Sequence, residues 1–108
     1  MKRWYEKIIA VHTAVTTEVR HGEHLHSDRY FVWQEDGADD FEADGIHAEK
    51  AMTGTTDLFT KREFDPWRDQ FEEELDAAGG IAWRLNSIQF EHETGYWHYE
   101  WTWAVTDG

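Results

Sequence analysis

The sequence predicts one α+β domain over residues 1–108, in which a mainly antiparallel four-stranded sheet carries two helices on one face. The predicted order of elements is α-β-β-α-β-β. Three observations support this fold class: an apolar stripe at helical spacing near the N-terminus, a short amphipathic segment with clear helix caps, and a strand of strict alternation near the C-terminus. A length of 108 residues fits one domain with one core.

The first helix is predicted over residues 2–20, where apolar side chains recur every three or four positions. This apolar stripe consists of Trp4, Ile8, Val11, Val15 and Val19. Between Thr13 and Val19 most residues are β-branched, so the alternation of a strand also fits there. Gly22 stands where a C-cap would end the helix.

Two strands and an acidic loop are predicted next. Residues 29–34 are rich in aromatic and β-branched side chains, which is typical of a strand. The acidic residues within 35–45 repel one another, so this segment is predicted to be an exposed, solvated loop. Residues 46–60 are predicted to form a long strand with a bend or bulge near Gly54.

The second helix is predicted over residues 65–78. Asp65 is a good N-cap, and Pro66 fits the first helical position because its missing N–H costs nothing there. The Gly79-Gly80 pair is predicted to end the helix. Its apolar stripe consists of Trp67, Phe71, Leu75 and Ala78.

A β-hairpin is predicted over residues 81–105, with a turn at 93–95 in which Gly95 adopts a positive φ. In the first strand of the hairpin, the apolar residues change from odd-numbered to even-numbered positions near Asn86-Ser87, which predicts a bulge there. The second strand has an apolar face made of Trp97, Tyr99, Trp101, Trp103 and Val105. We interpret this face as core, and we expect some of the seven Trp residues to face a partner.

The charge is strongly negative, with 23 Asp and Glu against ten Lys and Arg, a net of −13. The basic residues are scattered, so no phosphate-binding face and no specific nucleic-acid binding are predicted. No apolar run is long enough to cross a membrane, and no signal peptide is expected. The chain has no Cys, which excludes disulfides and thiolate metal sites.

Two segments match metal sites only in part. His24 and His26 would share one face of a strand, but the sequence places no third ligand beside them, so a polar connecting loop is the favoured interpretation of His21–His26. Asp40, Glu42, Asp44 and Gly45 fit the first half of a calcium loop. The last ligand position of that loop would be occupied by Ala51. The sequence therefore predicts no cofactor.

Carboxylates and imidazoles also cluster around the hairpin, at Glu91, His92, Glu93, His98 and Glu100. Acid–base catalysis needs such groups in a pocket that separates their pKa values, and a hairpin face shows no sign of one. No nucleophile elbow, phosphate loop or dinucleotide signature is present. An enzymatic activity is not predicted.

Several segments after residue 28 resemble a family of small prophage proteins from the head–tail connection and tail-completion region of long-tailed phages. The segments are Val32-Trp33-Gln34-Glu35, Gly54-Thr55-Thr56-Asp57-Leu58-Phe59-Thr60-Lys61, Phe64-Asp65-Pro66, Glu93-Thr94-Gly95-Tyr96 and His98-Tyr99-Glu100-Trp101. The resemblance implies a tail-terminator-like α+β subunit that forms a ring, typically of six copies. Such a ring caps the tail tube and joins it to the head connector.

The resemblance further implies assembly in the host cytoplasm, followed by a place in the tail or neck of the virion. Partners would be copies of the same chain, the tail tube and the connector, with DNA at most passing through the ring. A hexamer would carry a net charge of 6 × −13 = −78, and a negative lumen would let DNA pass without binding it. The alternative is a small acidic protein-binding module, including a DNA mimic.

The predicted contact surfaces are the hairpin, the acidic segment and a pair of basic residues. Lys61 and Arg62 are expected to meet the acidic segment of a neighbouring copy. The interface candidates are Lys61, Arg62, Asp39, Asp40, Glu42, Tyr96, His98 and Glu100.

Overall fold

The structure, a computed structural model, describes residues 3–43 and 46–106, with side chains described for 3–38 and 51–106. The elements in chain order are α1 (Trp4–Thr13), β1 (Val19–His21), β2 (Arg29–Ala43), β3 (Ile46–Thr60), α2 (Pro66–Ala78), β4 (Ile81–Glu91) and β5 (Tyr96–Thr106). None of the described helices is long and apolar enough to cross a membrane. The predicted α+β class is confirmed.

The strands form one five-stranded sheet in the order β1-β2-β3-β5-β4. Neighbouring strands run antiparallel except for β1, which pairs in parallel with β2. The prediction of four strands was therefore one short, and the sheet is mixed. The C-terminal hairpin is confirmed: its connection spans residues 92–95, and Gly95 has a φ of 79°. The predicted bulge lies between Leu85 and Ser87.

The predicted helix over residues 2–20 was too long. Helix α1 ends at Thr13, and Val19–His21 forms the extra strand β1. The β-branched residues that precede Val19 disfavour helix, and the amide of Phe31 donates to the carbonyl of Glu18 at 2.9 Å. Gly22 caps no helix: with a φ of 75°, it follows β1 and donates its N–H to the carbonyl of Trp33.

The acidic segment was also predicted wrongly, because residues 35–43 continue β2 instead of forming a loop. The main-chain groups of this segment pair with β3 as far as Ala43 and Ile46, and this pairing satisfies backbone groups that a loop would leave to water. Asp44 and Gly45 lie outside the described residues. The irregularity expected near Gly54 falls on the opposite strand, between Glu35 and Gly37.

The core lies between the two helices and one face of the sheet, called here the inner face. Phe31 from β2, Leu58 from β3 and Trp101 from β5 are fully buried there. Helix α1 contributes Ile8 and Val11, and helix α2 contributes Phe71 and Leu75. The alternation predicted for β5 is confirmed, since Tyr99, Trp101, Trp103 and Val105 are all buried.

Acidic side chains of α2 bind the indole N–H groups of the sheet. Trp101 donates from Nε1 to Glu72 at 3.0 Å, and Trp83 donates to Asp76 at 2.8 Å. These hydrogen bonds replace the water that the indole N–H groups lose when the rings are buried. All seven Trp side chains are buried or half-buried, and the expectation that some of them face a partner stays a prediction.

A second small apolar cluster covers the opposite, outer face of the sheet. Tyr30, Val32 and Phe59 are buried beneath Leu25, which belongs to the connection between β1 and β2. The hydroxyl of Tyr96 donates to the carbonyl of Ser27 at 2.5 Å and holds this connection against the sheet. Both faces of β2 are therefore covered near its start.

We expect Gly54→Ala to lower the free energy of unfolding by about 1–3 kcal/mol, because a methyl group has no room there. A Cβ atom would lie 2.6 Å from the carbonyl oxygen of Gln34 and overlap the ring of Trp103. Gly37→Ala is the matched control in the neighbouring strand, since its Cβ would meet nothing within 4 Å. Urea unfolding of both variants tests this, and equal midpoints would contradict it.

Candidate functional site

The polar side chains of the outer face gather where β3, β5 and β4 lie side by side. Asp57 pairs with Glu100 across β3 and β5, and Glu91 of β4 lies beside Tyr96 in the register of β5. His98 stands between them on the same face. We call Asp57, Glu91, His98 and Glu100 the His98 cluster.

Two carboxylates flank the imidazole of this cluster, one at each ring nitrogen. His98 Nε2 lies 2.9 Å from Asp57 Oδ1, and His98 Nδ1 lies 3.2 Å from Glu91 Oε2. The ring also stacks on Phe59, with the centroids 4.2 Å apart. Asn86, in the bulge of β4, donates to Glu100 at 2.7 Å. The imidazole is thus held in one orientation between two carboxylates.

The hydrogen bond to Asp57 raises the pKa of His98 above its ordinary value, although burial opposes it. The nearby charges of Asp57, Glu91 and Glu100 act in the same direction as the hydrogen bond. The protonated imidazole can donate from both ring nitrogens, which is what its two carboxylate neighbours accept.

The two basic candidates have different surroundings. Lys61 Nζ donates to the carbonyl of Thr94 and lies 4.2 Å from the centroid of the Tyr96 ring. Lys61 therefore stabilises the hairpin turn of its own chain. Arg62 is exposed, and its backbone N–H is bound to Thr60 Oγ1. The pairing of Arg62 with a neighbouring copy stays a prediction.

The acidic candidates Asp39, Asp40 and Glu42 belong to the distal part of β2, with a register shift between Asp40 and Glu42. Their side chains lie outside the described part of the structure. The structure thus brings Tyr96, His98 and Glu100 onto one face of β5 and places Lys61 at its end.

The histidines before β2 do not form a metal-sized group among the described side chains. His21 stacks on Trp33 at 4.0 Å between centroids and binds Glu35 at 2.7 Å. This hydrogen bond lowers the pKa of Glu35. His24 Nδ1 lies 3.2 Å from the hydroxyl of Tyr30. The prediction of a connecting loop over His21–His26 was wrong for His21, which belongs to β1, and residues 22–28 connect β1 to β2.

An apolar groove of about 450 Å³ runs between α1 and the β1 edge of the sheet. Tyr5 and Ile9 are exposed on the helix side of this groove, and Trp33 forms part of its wall. The apolar stripe of the first helix did not indicate this groove, because Tyr5 and Ile9 lie outside the stripe that packs on the sheet.

Other large apolar side chains are exposed at the opposite edge strand and in the loop before α2. Ile88 and Phe90 of β4 are 45% and 40% exposed. They lie beside Tyr99 and Trp97 in the register of β5. Phe64 is 85% exposed and has a φ of 56°, which is uncommon for a bulky residue. These side chains offer apolar area for contacts between proteins.

The fold is similar to that of a chain in the virion of a native gene transfer agent (GTA) particle. The two chains superimpose with a TM-score of 0.51 and share 10% sequence identity. The match covers 94% of this chain and 89% of the other chain. At this identity the likeness concerns the fold alone. No family model and no curated protein matches the sequence.

Proposed function

We propose that the protein is a structural subunit of a phage or prophage virion, of the tail-terminator type, which forms a ring with copies of itself. The likeness to a gene transfer agent virion chain carries this proposal, because it spans nearly the full length of both chains. The proposed ring caps the tail tube and joins it to the head–tail connector. This role is structural and involves no catalysis.

The two lateral edges of the sheet support contacts between copies. Strand β4 forms one edge with 11 residues, and on its outward side no described strand pairs with it. Strand β1 forms the other edge with three residues, beside the apolar groove of α1. Because the two edges differ, a contact between them is head-to-tail, and repeated copies of such a contact close into a ring when the rotation between neighbours allows it.

The net charge makes assembly sensitive to salt. Each copy carries −13, so neighbouring copies repel one another when few ions are present. Salt screens charges over about 8–10 Å at ordinary ionic strength. Sedimentation velocity over a range of salt and protein concentrations tests the proposal, and we expect the oligomer to be favoured at higher salt. A monomer under every condition would favour the acidic binding module instead.

We expect Ile88→Lys to weaken self-association, because it places a charge in the apolar contact formed by the β4 edge. Ile88 is 45% exposed, so the fold should tolerate the change. Gln89→Lys is the matched control: it adds the same charge at the adjacent, exposed position on the other face of β4. Sedimentation compares the oligomers, and circular dichroism checks the fold. Equal dissociation by both variants would argue against this contact.

A further inference from the structure

We infer that the His98 cluster binds a divalent transition-metal cation such as Zn²⁺ through His98, Asp57 and Glu100. One ligand atom from each residue, a nitrogen and two oxygens, lies within 4.8 Å of the other two. All three side chains are half-buried and stand on the paired strands β3 and β5. Imidazole nitrogen and carboxylate oxygen are both ordinary ligands of zinc.

The spacing of the three ligand atoms suits a small cation. Zinc bonds to nitrogen and oxygen at about 2.0–2.2 Å, which places tetrahedral ligands roughly 3.3 Å apart. Asp57 Oδ1 and His98 Nε2 are already 2.9 Å apart, and the widest separation in the group is at most 4.8 Å.

Glu91 supplies an independent feature of metal sites. Its carboxylate lies 3.2 Å from His98 Nδ1, the ring nitrogen that faces away from Asp57. Metal-binding imidazoles almost always donate their second N–H to a carboxylate, a carbonyl or a water, which fixes the ring and makes the other nitrogen a better ligand. His98 Nε2 lies beside Asp57, where a bound cation would replace the Nε2 proton.

The charge of the cluster also favours a cation. Three carboxylates surround one imidazole, so the cluster is negative whether the imidazole is charged or neutral. Among the described side chains, no Lys or Arg forms an ion pair with Asp57, Glu91 or Glu100. Glu100 has only the neutral amide of Asn86 as its hydrogen-bond donor there. A bound divalent cation compensates this excess of negative charge.

Calorimetric titration of the EDTA-treated protein with Zn²⁺ tests the site, and Co²⁺ absorption reports the ligand set and geometry. We expect one saturable Zn²⁺ site per chain and the visible bands of four-coordinate Co²⁺. Glu100→Gln keeps the shape of the side chain but removes its charge, and His98→Gln removes the nitrogen ligand. Both variants should lose the Co²⁺ bands, with the fold checked by circular dichroism.

Two further variants distinguish binding at the His98 cluster from binding at the histidines before β2. Glu91→Gln should weaken Zn²⁺ binding by about 10–100-fold, as expected for a residue that orients a ligand. The double variant His24→Gln, His26→Gln should bind as the wild type does. The inference fails if the wild type shows no saturable binding. It also fails if the double variant loses binding while His98→Gln and Glu100→Gln keep it.

Discussion

Asp65→Ala is expected to lower the free energy of unfolding by about 3–5 kcal/mol, the range for removing one partner of a buried ion pair. Total stabilities of domains are about 5–15 kcal/mol, so this one change removes a large share. Asp65 is fully buried and receives the guanidinium of Arg29 on both carboxylate oxygens. The hydroxyl of Thr60 donates to it at 2.7 Å, and the amide of Trp67 donates at 2.9 Å.

The carboxylate of Asp65 is stabilised in its charged form. Burial by itself raises its pKa, but the hydrogen bonds from Arg29, Trp67 and Thr60 outweigh burial and hold the pKa below its ordinary value. Alanine leaves the Arg29 charge without its partner, with its guanidinium 3.6 Å from the centroid of the Trp67 ring. Alanine also removes the N-cap of α2.

Urea unfolding of Asp65→Ala measures the loss, and Asp69→Ala is the matched control. Asp69 is an exposed aspartate in the first turn of the same helix, so its removal should change the stability by less than about 0.5 kcal/mol. Adding Arg29→Met to Asp65→Ala should recover part of the loss, because it removes the unpaired charge. Similar midpoints for Asp65→Ala and Asp69→Ala would show that this ion pair does not stabilise the fold.

The sequence predicted the local role of Asp65 but not its distant one. An aspartate before a proline at the start of an amphipathic segment indicates an N-cap, and this is confirmed. The bond to Arg29 joins residues 36 positions apart, and it forms because Arg29 and Thr60 are opposite each other in the β2–β3 pair. Local patterns contain no information on such a pairing.

The same limit explains what was missed in the His98 cluster. The alternation of β5 placed His98 and Glu100 on its polar face, and both were predicted as contact residues. Asp57 joins them because β5 pairs with β3 at that register, with β4 on its other side. A hairpin prediction gives the pairing of β4 with β5 but not that of β5 with β3. The register of distant strands decides which polar residues meet.

The errors of element type have a local physical cause. The stripe that ends at Val19 fits a helix, but the β-branched residues before it favour extended backbone, and pairing with β2 decides the outcome. The many charges of residues 35–43 indicated that this segment is exposed to water. A strand can be exposed to water as well as a loop can, and the segment is part of β2. The spacing of apolar residues predicts the type of an element well only when that element packs one of its faces on the core.

A neutral histidine lies in the core, where α1 packs on the sheet. His12 is fully buried, and its Nδ1 lies 2.7 Å from the carbonyl oxygen of Ile8, which can only accept. Nδ1 therefore carries the proton, and Nε2 accepts from the hydroxyl of Thr56 at 3.0 Å. That hydroxyl in turn accepts from Trp103 Nε1 at 2.9 Å. Nε2 thus acts as an acceptor in this chain of bonds, which is the role of a neutral imidazole.

Lowering the pH from 7 to 5 should therefore destabilise the fold through His12. Burial lowers the pKa of His12 from 6.5 to about 4, although the bond to Ile8 opposes this. The unfolded chain then binds the proton more readily than the folded one, so this stability is present above pH 6.5 and is lost as the pH falls toward 4. One pKa unit corresponds to about 1.4 kcal/mol, which gives a loss of about 2 kcal/mol at pH 5.

Urea unfolding at several pH values between 7 and 5, above the isoelectric point of about 4.7, measures this loss in the wild type and in His12→Gln. The variant is less stable throughout because it loses packing, but its stability should change less with pH, since glutamine does not titrate. The raised pKa of His98 acts in the opposite direction and is common to both proteins, so it cancels in the difference. Parallel pH profiles would show that another group controls the acid sensitivity.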